Sequence, residues 1–112
     1  MSAQVQPAEL ILVLANAVAG REAEFSSWYT DEHLPEVVRL AGVASAQRYE
    51  VPEALAAQLP YRYATVYAID GSAAAAMQRI ISAEYSSQSD ALDVHGMVMS
   101  PFVPLGAPIT PA

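Results

Sequence analysis

The stretch that decides the predicted fold covers residues 25–49 and reads FSSWYTDEHLPEVVRLAGVASAQRY. Apolar and aromatic residues recur in it at helical spacing, and positions 25, 29, 33 and 37 fall on one i, i+4 line. We therefore predict a helix over Arg21–Leu40. Gly42 is suited to end that helix, because glycine readily adopts the left-handed conformation found after helix C-termini. A strand is predicted to follow over Val43–Val51.

Three further strands and a second helix are predicted outside this stretch. Two of the strands are the apolar Glu9–Val18 and the alternating Tyr61–Ile69. The remaining elements are a short helical turn at Glu53–Gln58, a helix over Ala73–Tyr85, a polar turn over Ser86–Asp90 and a last strand over Val94–Leu105. The order β-α-β-β-α-β predicts an α+β, ferredoxin-like fold: an antiparallel sheet with both helices on one face. All 112 residues are expected to form one domain, with tails at 1–8 and 106–112.

The face of this sheet that the helices leave open needs a cover. The run Leu10–Leu14 is apolar without alternation, and the third strand contributes Tyr61, Tyr63 and Tyr67. The apolar content of 54% exceeds the usual share of about 45–50%. A second copy of the sheet, packed face to face around a two-fold axis, is the simplest cover. We therefore expect a homodimer.

Composition excludes several partners and chemistries. Twelve acidic residues against five basic ones give a net charge of −7, so no basic surface is available for nucleic acid. The longest apolar run, Leu10–Ala15, is far shorter than the roughly 20 residues that span a bilayer, and residues 1–9 lack the features of a signal peptide. We expect a cytoplasmic protein with no membrane partner.

The absent residue types also limit cofactor chemistry. The chain has no cysteine and no lysine, which excludes thiolate and Schiff-base catalysis by its own side chains. It has only two histidines, and it contains neither a P-loop nor a dinucleotide-binding motif. We therefore expect neither a metal nor another cofactor.

His33 is the candidate catalytic residue. It lies on the same helical line as Phe25 and Tyr29, so it should project toward the sheet. Pro35 cannot donate a hydrogen bond to the carbonyl of Asp31, so the helix should kink or restart there and open space beneath the imidazole. Asp31 could orient the ring across such a kink. The competing interpretation is a buried histidine with a purely structural role.

Other polar and aromatic residues have two open interpretations. Trp28 and Tyr29 are either pocket walls or core residues with one polar tip. Asn16 could orient a ligand carbonyl or make a turn. Glu32 and Glu36 are expected on a solvated helix face, together with Asp31. His95 is predicted to be a loop residue.

The string Trp28-Tyr29-x-x-Glu32-His33-Leu34-Pro35-Glu36, followed by Gly42 and Ala46-Gln47-Arg48-Tyr49, resembles the EthD-like proteins of the dimeric α/β-barrel superfamily. The similarity follows the element order over residues 9–105 and is specific only in residues 28–49. The resemblance implies a β-barrel formed across a dimer and a pocket between sheet and helices. Members and relatives of this group isomerise, cyclise, dehydrate or oxygenate small apolar cyclic compounds without a bound cofactor. By this resemblance the motif histidine is His33.

The leading hypothesis is a cofactor-independent enzyme that transfers a proton on an enolisable aromatic or polyketide-like ring. His33 would be the general acid/base, because an imidazole titrates near neutral pH. The residues expected to hold the substrate are Trp28, Tyr29, Asn16, Tyr49 and Tyr67. One alternative is oxygenation in the same pocket without metal or flavin. The other, outside the enzymes, is a binder of a hydrophobic small molecule or a structural dimer.

Overall fold

Four strands and three α-helical segments follow one another in the predicted order. The structure is a computed structural model that describes residues 8–112, so the predicted tail over residues 1–8 lies outside the described residues except for Ala8. Within that range no helix is long and apolar enough to cross a bilayer. The elements are β1 (Leu10–Ala17), α1 (Glu22–Trp28), a π-helical turn (Tyr29–His33), α2 (Leu34–Val37), β2 (Val43–Glu50), a 3-10 helix (Glu53–Gln58), β3 (Tyr63–Ile69), α3 (Ala73–Ser82) and β4 (Leu92–Phe102).

The strands form one antiparallel sheet in the order β2–β3–β1–β4. This confirms the predicted α+β class, and the strand order is compatible with a ferredoxin-like fold. β1 lies in the interior, where Leu12 pairs with Val66 of β3 and with Ser100 of β4. β4 is an edge strand, as its prolines predict, because an edge strand tolerates the missing N–H of Pro101.

Several predicted boundaries are wrong. The first helix ends at Val37 rather than at Leu40, so Gly42 does not directly follow it, and β3 begins at Tyr63 rather than at Tyr61. The last strand, β4, ends at Phe102 rather than at Leu105. α3 ends at Ser82 rather than Tyr85, because the backbone becomes extended at Ala83. β4 begins earlier than predicted, at Leu92 rather than Val94, and His95 is an exposed strand residue rather than the predicted loop residue. The pairing between β1 and β4 shifts its register here, so residues 94–97 bulge. A bulge relaxes the alternation of side chains, which is why His95 beside Gly96 resembles a loop in sequence.

One face of the sheet packs beneath the helices and forms the core. Ile11, Val13 and Ala15 of β1 are buried there, alternating with half-buried leucines on the other face. Tyr63 and Tyr67 of β3 are buried on the same helix-covered face. The interpretation of the β3 tyrosines as a reason for a cover on the other face is therefore wrong, because two of them point into the core of their own chain.

The opposite face, here called the open face, has no cover within the described residues. Alternation along the strands and their register assign three residues of each strand to it. None of these side chains is charged, and those of β1 and β3 are all aliphatic. The residues of the open face are Ser45, Gln47, Tyr49, Ala64, Val66, Ala68, Leu10, Leu12, Leu14, Val98, Ser100 and Phe102.

The predicted break in the first helix takes the form of a π-helical turn. The N–H of Leu34 donates to the carbonyl of Tyr29, which is an i→i+5 hydrogen bond. Pro35 then lies in the first turn of α2, a position where its missing N–H costs little. Because the turn is wider, Leu34 is the next buried residue of the helix after Tyr29. His33 is therefore only half-buried, at the margin of the core.

Replacing Pro35 with alanine tests this origin of the π-helical turn. Pro35→Ala supplies a backbone N–H, so regular α-helical bonding can continue past Tyr29. Because the missing N–H of Pro35 costs little in a first helical turn, we expect the free energy of unfolding in urea to stay equal or rise only slightly. The ring of His33 should move away from Trp28, the single tryptophan of the chain, and change its fluorescence. Pro108→Ala, in the exposed C-terminal tail, is the control. An unchanged emission spectrum of Pro35→Ala would show that the proline does not maintain the turn.

Candidate functional site

A cavity of about 220 Å³ lies between the helices and the helix-covered face of the sheet. Its walls are mostly apolar, and His33 is its only imidazole. Trp28 and Tyr29 reach it from the helix, Tyr67 from β3, and Tyr85 from the segment after α3. The structure thus brings four of the predicted site residues to one place: His33, Trp28, Tyr29 and Tyr67.

Three aromatic rings enclose the imidazole of His33. The indole of Trp28 stacks on it with ring centroids 4.8 Å apart and an interplanar angle of 19°. Tyr29 and Tyr85 meet it edge to face, at 5.2 Å and 4.9 Å. The stack joins residues five apart in sequence, which a π-helical turn brings to the same side of the helix.

His33 has no protein partner that would hold a proton on its ring. Its Nδ1 atom is buried and makes no hydrogen bond within residues 8–112, so Asp31 does not orient the ring as the sequence suggested. Burial lowers the pKa of His33, and the neighbouring carboxylate of Glu36 only partly opposes this. The ring is therefore a neutral base at neutral pH.

Two of the tyrosines around the cavity, Tyr67 and Tyr85, stay protonated. Burial raises the pKa of Tyr67 well above its usual range, and its interaction with Tyr29 raises it further. Burial, followed by the charge of Glu36, raises the pKa of Tyr85, whose hydroxyl donates to the carbonyl of Ile80 at 2.6 Å. Tyr67 shares a hydrogen bond with Tyr29, so the pair has one O–H left to donate to an oxygen atom of a ligand.

Arg48 of β2 supports the wall from behind. Its guanidinium lies 5.0 Å from the ring centroid of Tyr29 and 5.3 Å from that of Phe25. It also donates hydrogen bonds to Thr30 Oγ1 at 3.1 Å and to the carbonyl of Ser26 at 3.3 Å. These contacts fasten the start of the π-helical turn to the sheet, so Tyr29 is held in place from both sides.

Asn16 and Tyr49 do not belong to this cavity. The amide of Asn16 donates to the carbonyl of Pro60 and accepts from the N–H of Arg62, both at 2.8 Å, so it anchors the β2–β3 loop. Tyr49 lies on the open face and lines a separate apolar depression of about 290 Å³ beside Leu59. That depression is larger, but it contains no histidine, and its one carboxylate, Glu50, pairs with Arg62.

Sequence reasoning missed the segment that closes the cavity. The sequence predicts Tyr85 at a helix end, and Glu32 and Glu36 on a solvated face. The structure shows both carboxylates accepting hydrogen bonds from serines of residues 86–87. These partners are at least fifty residues apart in sequence, so no local pattern could have joined them. Within residues 8–112, no cluster of three or more histidine or carboxylate groups could hold a metal ion.

The lowered pKa of His33 predicts a pH dependence of stability. The unfolded chain takes up a proton on His33 near pH 6.5, whereas the folded chain does so only at lower pH. Folding stability from this group is therefore present above about pH 6.5 and decreases as the pH falls toward the folded pKa. NMR titration should place the His33 midpoint below about 6.5, and His33→Asn should reduce the slope of stability against pH. A midpoint at or above that value would contradict the burial of the neutral ring.

Comparison with known proteins returns no match: no protein-family model, no curated protein and no solved structure resembles this chain closely enough to be reported. What the cavity can do therefore rests on its own residues. Those are a neutral imidazole, three phenols and an apolar wall that carries one indole.

Proposed function

We propose that the protein is a cofactor-independent enzyme that transfers a proton on a small hydrophobic cyclic compound, with His33 as general base and then general acid. The observation that carries this proposal is a neutral, unpartnered imidazole at the wall of an apolar cavity. A base acts only in its unprotonated form, and the lowered pKa keeps that form present at neutral pH.

The cavity favours a compact substrate with one oxygen substituent. Its volume of about 220 Å³ is below the roughly 300–1,000 Å³ of usual ligand pockets, which suits a single or fused ring. When a base removes a proton next to a carbonyl group, negative charge develops on the oxygen. The hydrogen-bonded pair of Tyr29 and Tyr67 could donate one hydrogen bond to that oxygen, since burial keeps Tyr67 protonated. Trp28 would bound the ring plane.

Two other functions use the same cavity. Oxygenation without a cofactor would begin with the same deprotonation and would consume oxygen. A non-catalytic binder of a hydrophobic molecule would need only the apolar wall, and the low polarity of that wall is what supports this alternative. Measuring oxygen uptake distinguishes the oxygenase from an enzyme that only transfers a proton. The exchange experiment below distinguishes the non-catalytic binder from both enzymes.

We also propose that the chain works as a homodimer whose open faces pack together, which would form the barrel of the EthD-like family that residues 28–49 resemble. A chain with a net charge of −7 repels its own copy, but the open face carries no charged residue that would have to be desolvated. In antiparallel sheets a solvated face is usually polar. Here the two interior strands present leucine, valine and alanine on it instead.

Placing a charge on the open face tests the dimer. Val66 is half-buried near the middle of that face, and an unpaired carboxylate there would oppose association. We expect the parent to sediment as a dimer at micromolar concentration and Val66→Glu as a monomer. Val38→Glu, at an exposed valine after α2, is the matched control and should stay dimeric. A monomeric parent would contradict the proposal.

Exchange of a ring proton with solvent tests the chemistry without knowledge of the natural substrate. In D₂O, the protein should accelerate exchange at the acidic C–H of β-tetralone, an enolisable bicyclic ketone. His33→Asn should keep the fold, because asparagine retains hydrogen-bonding capacity, and should lower that rate by about 10²–10⁴-fold. His95→Asn, at the exposed histidine of β4, is the control and should exchange like the parent. No acceleration by the parent would favour the binder, whereas equal rates in the parent and in His33→Asn would remove His33 as the base.

A further inference from the structure

Residues 83–90, here called the closing segment, are fastened to the helix by two pairs of glutamate and serine. Glu32 and Glu36 lie four residues apart, on the π-helical turn and α2. Glu36 accepts from the N–H of Ser86 at 3.1 Å and from its hydroxyl at 2.7 Å. Glu32 accepts from the hydroxyl of Ser87 at 3.1 Å. The closing segment also carries Tyr85 against the imidazole of His33.

The second of these pairs continues to the indole that stacks on His33. The Nε1–H of Trp28 donates to Ser87 Oγ at 3.1 Å. Ser87 has one hydroxyl proton, and with that proton given to Glu32 its lone pairs are free to accept from the indole. The carboxylate thus sets the direction of both hydrogen bonds. The order of contacts is Glu32, Ser87, Trp28, His33.

From this chain of contacts we propose that Glu32 and Ser87 are positioning residues for proton transfer at His33, acting through Trp28. The inference rests on the proposed function of His33 but concerns residues that touch neither substrate nor imidazole. An indole can turn about its side-chain bonds unless its N–H is held, and here it has one partner, on a different segment of the chain. Held in this way, the indole keeps its face parallel to the imidazole and keeps water from that side of the ring.

Other groups around His33 do not replace this connection. Glu36, on its own helix, acts on His33 only through its charge, and the hydroxyl of Tyr85 is occupied by the carbonyl of Ile80. Tyr29 meets the ring by its edge. Trp28 is the ring that stacks parallel on the imidazole, so a change at Ser87 should reach His33 while an equivalent change at Ser86 should not.

The experiment compares Ser87→Ala with Ser86→Ala. Each removes one hydroxyl from the closing segment, and Ser86→Ala leaves both the contact with Trp28 and the backbone bond to Glu36 in place. NMR titration measures the His33 midpoint, with the His95 signal as internal reference, and fluorescence reports on Trp28. We expect Ser87→Ala to raise the His33 midpoint toward about 6.5 and to shift tryptophan emission to longer wavelength. Ser86→Ala should change neither, and Ser87→Thr, which keeps a hydroxyl, should behave like the parent.

Two results would overturn the inference. One is a His33 midpoint and an emission spectrum that are the same in Ser87→Ala and the parent. The other is an equal shift in both alanine variants, which would show that the closing segment acts as a whole. These readouts need no turnover, so they test the positioning role even if the parent fails to exchange β-tetralone. If the parent does exchange it, Ser87→Ala should lower the rate and Ser86→Ala should not.

Discussion

The hydrogen bond from the N–H of Leu34 to the carbonyl of Tyr29 spans five residues, and the arrangement of the site depends on it. In a regular α-helix, Trp28 and His33 would point to different sides. The wider π-helical turn brings their rings together and moves His33 to the margin of the core, where one side of the imidazole meets the cavity. Pro35 follows directly and has no backbone N–H. The helix therefore begins again at the position where a regular α-helical turn would lack a hydrogen-bond donor.

Burial then determines the chemical state of the residues brought together. The same apolar surroundings that lower the pKa of His33 raise the pKa of Tyr67, so the imidazole and this phenol are both uncharged in one cavity. The charges of this acidic chain lie outside it, on carboxylates such as Glu32 and Glu36. Those carboxylates accept hydrogen bonds from the closing segment, which forms part of the cavity wall. Charged residues on the surface therefore help to hold the uncharged cavity in place.

Local sequence patterns predict those features of the fold and the site that depend on interactions between near neighbours in the chain. The spacing of Phe25, Tyr29 and Val37 and the break at Pro35 are local effects, so the helix and its candidate histidine follow from them. The stop predicted from Gly42 is wrong, because the helix already ends at Val37. β1 was harder, because five consecutive aliphatic residues reveal nothing about which side is buried. Tyr85 and Asn16 could not be placed, since their contacts depend on segments that meet only after folding.

The central claim is that a π-helical turn, rather than regular helix, presents His33 to the cavity. Scalar coupling across hydrogen bonds, measured by NMR on isotope-labelled protein, identifies which carbonyl accepts from each amide. Coupling between the Leu34 amide and the Tyr29 carbonyl is the result that this account predicts. Coupling from the Leu34 amide to the carbonyl of Thr30 would mean an unbroken α-helix, and it would contradict the stacked position of His33 and the functions proposed for it.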